Sequence, residues 1–311
     1  METLTDDAVL HIASFFDTVD MRNFAQTCRR FGSADAAPAD LSLVEQGARQ
    51  LIESAPTHEK NWLPPKKEKT TWIKLYYELL KLRAPPSFGV LLGSGINHIN
   101  TNKYHVYVSL REQYEQQQLQ QAKLLIRRKW SHSILPISSA VSCVGIGYQI
   151  MSHGKHFVKF TMTRVEKISF GIIRPVDEYW VDENGDSCKN GFCPFESWSD
   201  MIDATSSRRK YWGGSNVHCC LYDAYPGSCQ WTDWRTTRQT IDDWCGMEHA
   251  LDGDVGLLLD LDVGTLSVYK SRRRLGIIKD GLAGEYCWLM SIQGASNSTA
   301  VQIKRGYIPD S

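Results

Sequence analysis

Apolar side chains in the first third of the chain recur at helical spacing. Residues 9–16 and 21–28 each carry them three or four positions apart, which predicts two short amphipathic helices. Residues 41–53 and 70–82 predict two further helices, and the Gln-rich residues 111–130 predict a polar linker helix. Two short amphipathic helices cannot bury both apolar stripes by themselves, so the start of the chain requires a third element or a binding partner.

After residue 130 the period of the apolar positions changes to two. Val158, Phe160 and Met162 alternate with polar neighbours, as expected of a half-buried strand. The same alternation recurs in residues 168–172, 255–261, 266–268, 288–292 and 301–303. Gly and Asp turns separate these runs, and no helical crossover lies between them, which predicts an antiparallel sandwich or barrel. We therefore place a domain boundary near residue 130.

Composition and charge narrow the class of protein. The chain has 35 Lys plus Arg, 35 Asp plus Glu and 42% hydrophobic residues, which indicates a folded protein and disfavours a globally basic nucleic-acid binder. No apolar run approaches the length of a membrane span, and the acidic start does not resemble a signal peptide. Nine cysteines, an odd number, indicate a reducing compartment. We expect a cytoplasmic or nuclear protein that is not secreted.

The cysteines do not form a metal-binding pattern. Cys219 and Cys220 are adjacent, so in a strand they point to opposite faces and cannot readily bind one ion. Cys188 and Cys193 are better spaced, but no second pair accompanies them. We expect free thiols and no metal site.

Motifs for catalysis or cofactor binding are also missing from the sequence. There is no G-x-S-x-G elbow, no dinucleotide-binding glycine triplet and no G-K-[ST] phosphate loop. We expect neither catalytic residues nor a cofactor, with an unrecognised enzyme as the remaining alternative. The basic runs 208–210 and 272–274 could bind phosphate or RNA, although solvation is the simpler interpretation.

Residues 4–17 and 24–31 resemble the front of an F-box. The proline usual in that motif is Thr5 here, and residues 71–76 resemble its late Trp-containing helix after a long insertion. The resemblance implies an F-box-like module in residues 1–40 that docks on a Skp-type adaptor. The implied adaptor contacts are Leu4, Leu10, Ile12, Phe15, Phe16, Cys28 and Phe31. The alternative is that these side chains form only the chain's own helical core.

Residues 253–270 are very close to the central signature of SPRY domains, and residues 274–276 and 281–286 continue it in order. The resemblance covers residues 131–308 and leaves residues 41–130 as a helical extension and linker. It implies an antiparallel β-sandwich of the concanavalin-like jelly-roll class, which binds protein or peptide targets without catalysis. The implied substrate-binding residues are Arg174, Asp177, Tyr179, Trp180, Arg209, Tyr211, Trp212 and Gln293. The alternative is aromatic core and solvated arginine.

Together the two resemblances predict a multidomain α plus all-β protein, similar to a protist, especially microalgal, set of F-box-like plus SPRY proteins. F-box proteins are substrate receptors of SCF-type cullin–RING ubiquitin ligases. The sequence thus predicts a non-catalytic receptor that joins a Skp-type adaptor and cullin to a protein or peptide substrate, for ubiquitin-dependent degradation. The alternative is a stand-alone SPRY interaction scaffold with a dimerising helical start.

Overall fold

The structure is a computed structural model, and the chain divides after Ala84 into a helical unit and a β-rich unit. It describes Asn23 and residues 42–67, 70–93, 95–109, 142–163, 168–176, 206–225, 227–235, 239–241, 254–293 and 299–307. All seven expected adaptor contacts lie outside the described residues, as do Asp177, Tyr179 and Trp180. No helix among the described residues is long and apolar enough to cross a membrane.

The helical unit contains α1 (Leu43–Glu53), α2 (Thr57–Lys60) and α3 (Trp72–Arg83). The hydroxyl of Ser42 accepts a hydrogen bond from the Glu45 N–H at 3.3 Å, which caps α1. Glu45 in turn accepts the Trp72 N–H at 2.6 Å, so its carboxylate ties the start of α3 to α1. The helices share a core of Val44, Ala48, Ile52, Ala55, Leu75, Tyr76 and Leu79. The two helices expected in residues 41–53 and 70–82 are therefore confirmed.

Two seven-stranded antiparallel sheets make up the β-rich unit. The described residues of this unit form fourteen strands: β1 Phe88–Leu92, β2 Ile96–Ile99, β3 Asn102–Val108, β4 Ser142–Gly147, β5 Lys155–Met162, β6 Ile168–Ile173, β7 Cys219–Asp223, β8 Cys229–Thr232, β9 Gln239–Ile241, β10 Asp254–Asp260, β11 Thr265–Lys270, β12 Arg273–Lys279, β13 Cys287–Gln293 and β14 Thr299–Arg305. The first sheet has the order β1-β4-β13-β6-β7-β8-β9, and the second has the order β12-β11-β10-β5-β14-β3-β2. A 3-10 helix, Ser206–Tyr211, precedes β7.

The alternating positions predicted from the sequence form the core between the sheets. Val158 and Phe160 of β5, Phe170 of β6 and Trp288 and Met290 of β13 are all buried in one cluster. The Phe160 and Phe170 rings, which come from facing sheets, stack with their centroids 4.5 Å apart. The antiparallel β-sandwich is therefore confirmed, because the period-two side chains point inward as expected.

The first sheet also buries its other face. Residues between the core positions, such as Ile173, Cys219 and Leu289, pack in a second apolar cluster with Trp212 and Trp234. Strand β6 is consequently buried at all six positions. One member of this outer cluster, Trp212, also lines a surface cleft.

The sandwich begins earlier in the chain than the sequence indicated. Strands β1, β2 and β3 occupy residues 88–108, which we had assigned to a helical extension and linker. β1 pairs with β4, and β3 pairs with β14, so both sheets include this segment. Phe88, Val106 and Val108 enter the sandwich core. The boundary therefore falls between Ala84 and Pro85 rather than near residue 130.

Candidate functional site

The open end of the β7–β8 hairpin brings together residues that are fifteen positions apart in sequence. Cys219 of β7 pairs with Thr232 of β8, and the His218 N–H donates to the Thr232 carbonyl at 2.8 Å. His218 just before β7 and Asp233 just after β8 are thus held side by side. Both line a surface cleft.

Three aromatic side chains pack beside this hairpin end. The Trp212 and His218 rings are 4.3 Å apart between centroids, and Trp234 is 5.8 Å from Trp212 and 5.1 Å from His218. None of the three is more than 7% exposed. Trp234 has a left-handed backbone, with φ of 55°, which is uncommon for a bulky side chain. Its N–H donates to the Thr232 hydroxyl at 2.9 Å, which supports this turn.

The cleft has a volume of about 410 Å³ and is named here the Trp212 cleft. Its lining runs from Trp212 to Asn216 and adds Arg209, His218, Asp233 and Arg235. The Arg209 guanidinium carbon is 5.7 Å from the Trp212 ring centroid, so the charge lies over the aromatic face. Arg209, Arg235 and the neighbouring Tyr211 are exposed, whereas Trp212 and His218 are buried. The cleft therefore has a fixed aromatic floor and cationic side chains that reach solvent.

Arg174 lies beneath this floor and is completely buried. Its guanidinium donates to the carbonyls of Ala283 and Glu285 at 2.9 Å each and to the Ser215 carbonyl at 3.1 Å. The Tyr286 ring lies 4.1 Å from the guanidinium carbon. Desolvation by burial lowers the pKa of Arg174 to about 10, although the nearby Tyr286 and Glu285 favour its charged form. Arg174 is still a cation at neutral pH, and it joins the cleft loop to the segment before β13.

Two more contacts hold the cleft loop in place. The Tyr286 hydroxyl donates to the Val217 carbonyl at 2.8 Å. Gly284 has a φ of +82°, and a Cβ there would come within 2.3 Å of the Trp212 backbone. Only glycine permits this approach, so the segment around Gly284 fixes where Trp212 can lie.

The two buried polar atoms on the cleft floor have no partner within the part of the chain that the structure describes. They are the Trp212 Nε1 and the His218 Nδ1. Desolvation by burial is the main cause that lowers the pKa of His218 to about 4; Arg174 and Arg235 add to it and Asp233 opposes it. His218 is therefore a neutral imidazole at physiological pH.

The structure separates the residues that the sequence had grouped as substrate-binding. Arg209 lines the cleft and is exposed, Tyr211 is exposed next to a lining residue, and Trp212 lines the cleft but shows only 7% of its surface. Arg174 does not reach the surface, so its expected contact with a substrate is wrong, and it positions the loop instead. Its burial has a physical reason, because three backbone carbonyls accept hydrogen bonds from its two terminal nitrogens.

Gln293 does not join the group either. Its backbone pairs with Ser142, whereas Cys287, at the other end of β13, pairs with Ile173 next to Arg174. Six residues of strand place about 20 Å between the two ends. The expectation that Gln293 lies near Arg174 is therefore wrong.

Sequence reasoning missed His218, Asp233 and Arg235 as cleft residues. In this part of the sequence, only metal binding by Cys219 and Cys220 was considered. Two strand-like runs flank the Pro226–Gly227 turn, and this hairpin signal could have shown that the residues before and after it meet.

The cysteines of this region are structural. Cys219 faces the outer cluster and Cys220 the sandwich core, which confirms that they lie on opposite faces of β7. Burial raises the pKa of the Cys220 thiol to about 12 and also raises the pKa of Cys229. In the described residues, no group of three His, Cys, Asp or Glu side chains could hold a metal ion. Cys188 and Cys193 lie outside the described residues.

The chain was compared with known protein families, curated proteins and solved structures. No family model matches the chain, and no curated protein matches it. The structure of the TRIM65 PSpry domain is similar with a TM-score of 0.38 and 11% identity, over 72% of this chain and 93% of that one. The SPRY domain of human HERC1 is similar with a TM-score of 0.34 and 16% identity, over 55% and 91%. The β-sandwich fold stands on the strand order described above.

Proposed function

We propose that residues 85–308 form a SPRY-type sandwich that binds a segment of a partner protein in the Trp212 cleft. The signature-like run 253–270 supports the assignment, since it coincides with the antiparallel hairpin of β10 and β11 in the second sheet. The observation that carries the function is the cleft itself, with a fixed aromatic floor and exposed Arg209 and Tyr211 beside it. Arg and Tyr are residue types that commonly dominate binding energy at interfaces.

Rigidity of the floor favours the binding of a ligand. Arg174, Tyr286 and Gly284 fix the loop that carries Trp212, so a ligand would not need to order it. A preorganised surface loses less conformational entropy on association, which improves affinity without any additional contact. Our proposal assigns no bond chemistry to this chain.

The finer proposal is that the protein is a substrate receptor of an SCF-type ubiquitin ligase. It is supported by the resemblance of residues 4–31 to an F-box, combined on one chain with the proposed binding domain. The first segment would dock on a Skp-type adaptor, and the cleft would hold the target. The chain would then act by proximity, which raises the effective concentration of target lysines near the ligase-bound ubiquitin.

A crossed pull-down from cell lysate, read by mass spectrometry, tests both halves of the proposal. The double variant Leu10→Asp/Phe15→Asp should lose the Skp-type adaptor and cullin and retain the target proteins. The variant Arg209→Gln/Tyr211→Ala should retain the adaptor and lose targets. If the wild-type protein recovers no adaptor, the receptor role is excluded while the binding role still stands.

The alternative is a stand-alone interaction scaffold whose first segment dimerises, which the replacement of the usual F-box proline by Thr5 favours. Light scattering of the purified chain distinguishes the two. A stable dimer that the Leu10→Asp/Phe15→Asp variant converts to a monomer, with no adaptor recovered, would support the scaffold.

A further inference from the structure

We propose that the Trp212 cleft is specific for a carboxylate side chain, so that the partner segment presents an Asp or Glu into it. This inference rests on the proposed function and names the chemical class of its ligand. It follows from three features of the cleft. The Trp212 indole N–H has no acceptor within the described ranges, the neighbouring His218 ring nitrogen can either donate or accept a hydrogen bond, and two arginines line the cleft.

The strongest constraint comes from Trp212. An indole N–H can only donate a hydrogen bond, and the Trp212 Nε1 is buried without an acceptor among the described residues. A buried donor left without a partner is costly, so a ligand that supplies an acceptor there gains free energy that a purely apolar ligand cannot. A ligand that contacts Trp212 in the cleft therefore binds better if it offers an oxygen or nitrogen acceptor to Nε1.

His218 extends the same surface. Its Nδ1 is also buried and unpartnered in the described part of the chain, and its ring contacts the Trp212 ring at 4.3 Å between centroids. A neutral imidazole can carry its single hydrogen on Nδ1, so His218 can donate a hydrogen bond to a ligand that offers an acceptor. Donors on two rings that are in contact suit a carboxylate, because each of its two oxygens can accept a hydrogen bond.

The charges of the lining set the sign of the ligand. Arg209 and Arg235 contribute two cations, against the single carboxylate of Asp233. One oxygen of Asp233 already accepts the Arg235 backbone N–H at 2.9 Å, which closes the turn after β8. A ligand carboxylate would neutralise the remaining positive charge of the lining by pairing with Arg209, whose side chain lies over the Trp212 face. A cationic side chain in the same place would meet two like charges.

The test begins with phage-displayed random dodecapeptides panned against the immobilised full chain. Because displayed peptides have no free carboxyl terminus, any carboxylate preference that emerges comes from side chains. The best binder is then synthesised with an amidated terminus, together with versions in which its acidic residue is replaced by the matching amide or by phosphoserine. Affinities are measured by fluorescence anisotropy.

We expect the selected peptides to share an Asp or Glu, and the amide version to bind at least about tenfold more weakly, as for loss of a charge-assisted hydrogen bond. The exposed-side-chain variant Arg209→Gln should weaken the acidic peptide about two- to fivefold and leave the amide version nearly unchanged. The matched control is Arg272→Gln, an exposed arginine in the β11–β12 turn of the other sheet, which should change neither affinity.

A second readout addresses the floor directly. In a ¹⁵N-labelled protein, the Trp212 indole N–H resonance, assigned with the variant Trp212→Phe, should move downfield when the acidic peptide binds and much less with the amide version. The Arg209→Gln protein remains folded for this measurement, because the substituted side chain is exposed.

Each remaining outcome overturns the proposal. Selected peptides without a shared acidic residue, or an amide version of equal affinity, would exclude the carboxylate while leaving the protein-binding function intact. A phosphoserine version that binds more than tenfold more tightly would assign the cleft to phosphopeptides instead. Failure to select any peptide whose binding depends on Arg209 would remove both this inference and the proposed binding site.

Discussion

Burial of His218 should make the stability of the sandwich depend on pH in a defined window. Its ordinary pKa is about 6.5, and in the folded protein desolvation, followed by the charge of Arg174, lowers the pKa to about 4. Below pH 6.5 the unfolded chain therefore binds a proton that the folded protein does not accept. The stability contributed by the neutral ring is complete above pH 6.5 and is lost as the pH falls towards 4.

The magnitude follows from the two pKa values. Between pH 7.5 and pH 5.0 this single site should lower the free energy of unfolding by at most about 2 kcal/mol, since each pKa unit corresponds to about 1.4 kcal/mol. Water at the mouth of the Trp212 cleft reduces this value, because it partly solvates the charged ring. A loss of this size is a large fraction of the stability of an ordinary domain.

Urea unfolding followed by tryptophan fluorescence, at pH 7.5 and pH 5.0, measures the effect. The variant His218→Gln removes the titrating group, so its loss between the two pH values should be smaller than that of the wild type by about 1–2 kcal/mol. The absolute stability of the variant also falls with loss of the stacked ring, so only the difference between pH values is diagnostic. Equal losses, or a His218 resonance that titrates near pH 6.5 in an NMR experiment, would refute the reasoning.

Three further predictions concern the parts that surround the cleft. Arg174→Met should lower the free energy of unfolding by about 2–4 kcal/mol in the same urea assay, because it leaves three buried carbonyls without their donor; a change below 1 kcal/mol would contradict the positioning role. Gly284→Ala should cost more than about 2 kcal/mol and alter the Trp212 indole resonance, since the new methyl group meets the Trp212 backbone; an unchanged resonance would argue against that contact. Four buried thiols should resist iodoacetamide at pH 8 in the native protein and react after unfolding, as peptide mapping would show: Cys219, Cys220, Cys229 and Cys287. Native alkylation of Cys220 at the rate of the unfolded chain would be inconsistent with its raised pKa.

The sequence was sufficient to predict the inner faces of the strands. Val158 and Phe160 are buried and alternate with the half-buried Lys159 and Thr161, so the period of two is visible in the sequence. The outer apolar cluster could not be predicted in this manner. Strand β6 is buried on both faces, so its sequence has no alternation that would distinguish the core side from the Trp212 side.

The candidate site was predicted only in part, and the reason is sequence distance. Arg174 resembles a surface residue because arginine is seldom fully buried, and its three carbonyl partners lie 41 to 111 residues further along the chain. The sequence pattern around Arg174 gives no indication of partners that are so far away in the chain. Arg209 and Tyr211 are exposed, and the sequence alone can assign such residues to the surface, since an exposed position needs no distant partner to explain it.

The domain boundary was missed for a related reason. Residues 88–108 do contain strand-like side chains, with Tyr104, Val106 and Val108 at alternate positions. Their partners are β4 and β14, the second of which lies almost two hundred residues later. The polar, Gln-rich residues 111–130 that follow looked like a linker, although the strands on either side of them belong to the same sandwich.

The position of β14 makes the second sheet depend on residues 299–305 for its continuity. This strand lies between β5 and β3, so without it the β2–β3 hairpin has no hydrogen-bonded pairing with the other described strands of the second sheet. During synthesis on the ribosome, the edges of β3 and β5 that pair with β14 would therefore stay unpaired until residues 299–305 emerge. Long-range pairings of this kind slow folding and leave edges that can associate with other chains. We expect nascent copies of this protein to depend on chaperones, and a premature stop codon before residue 299 to yield an aggregated product rather than a folded but less stable protein.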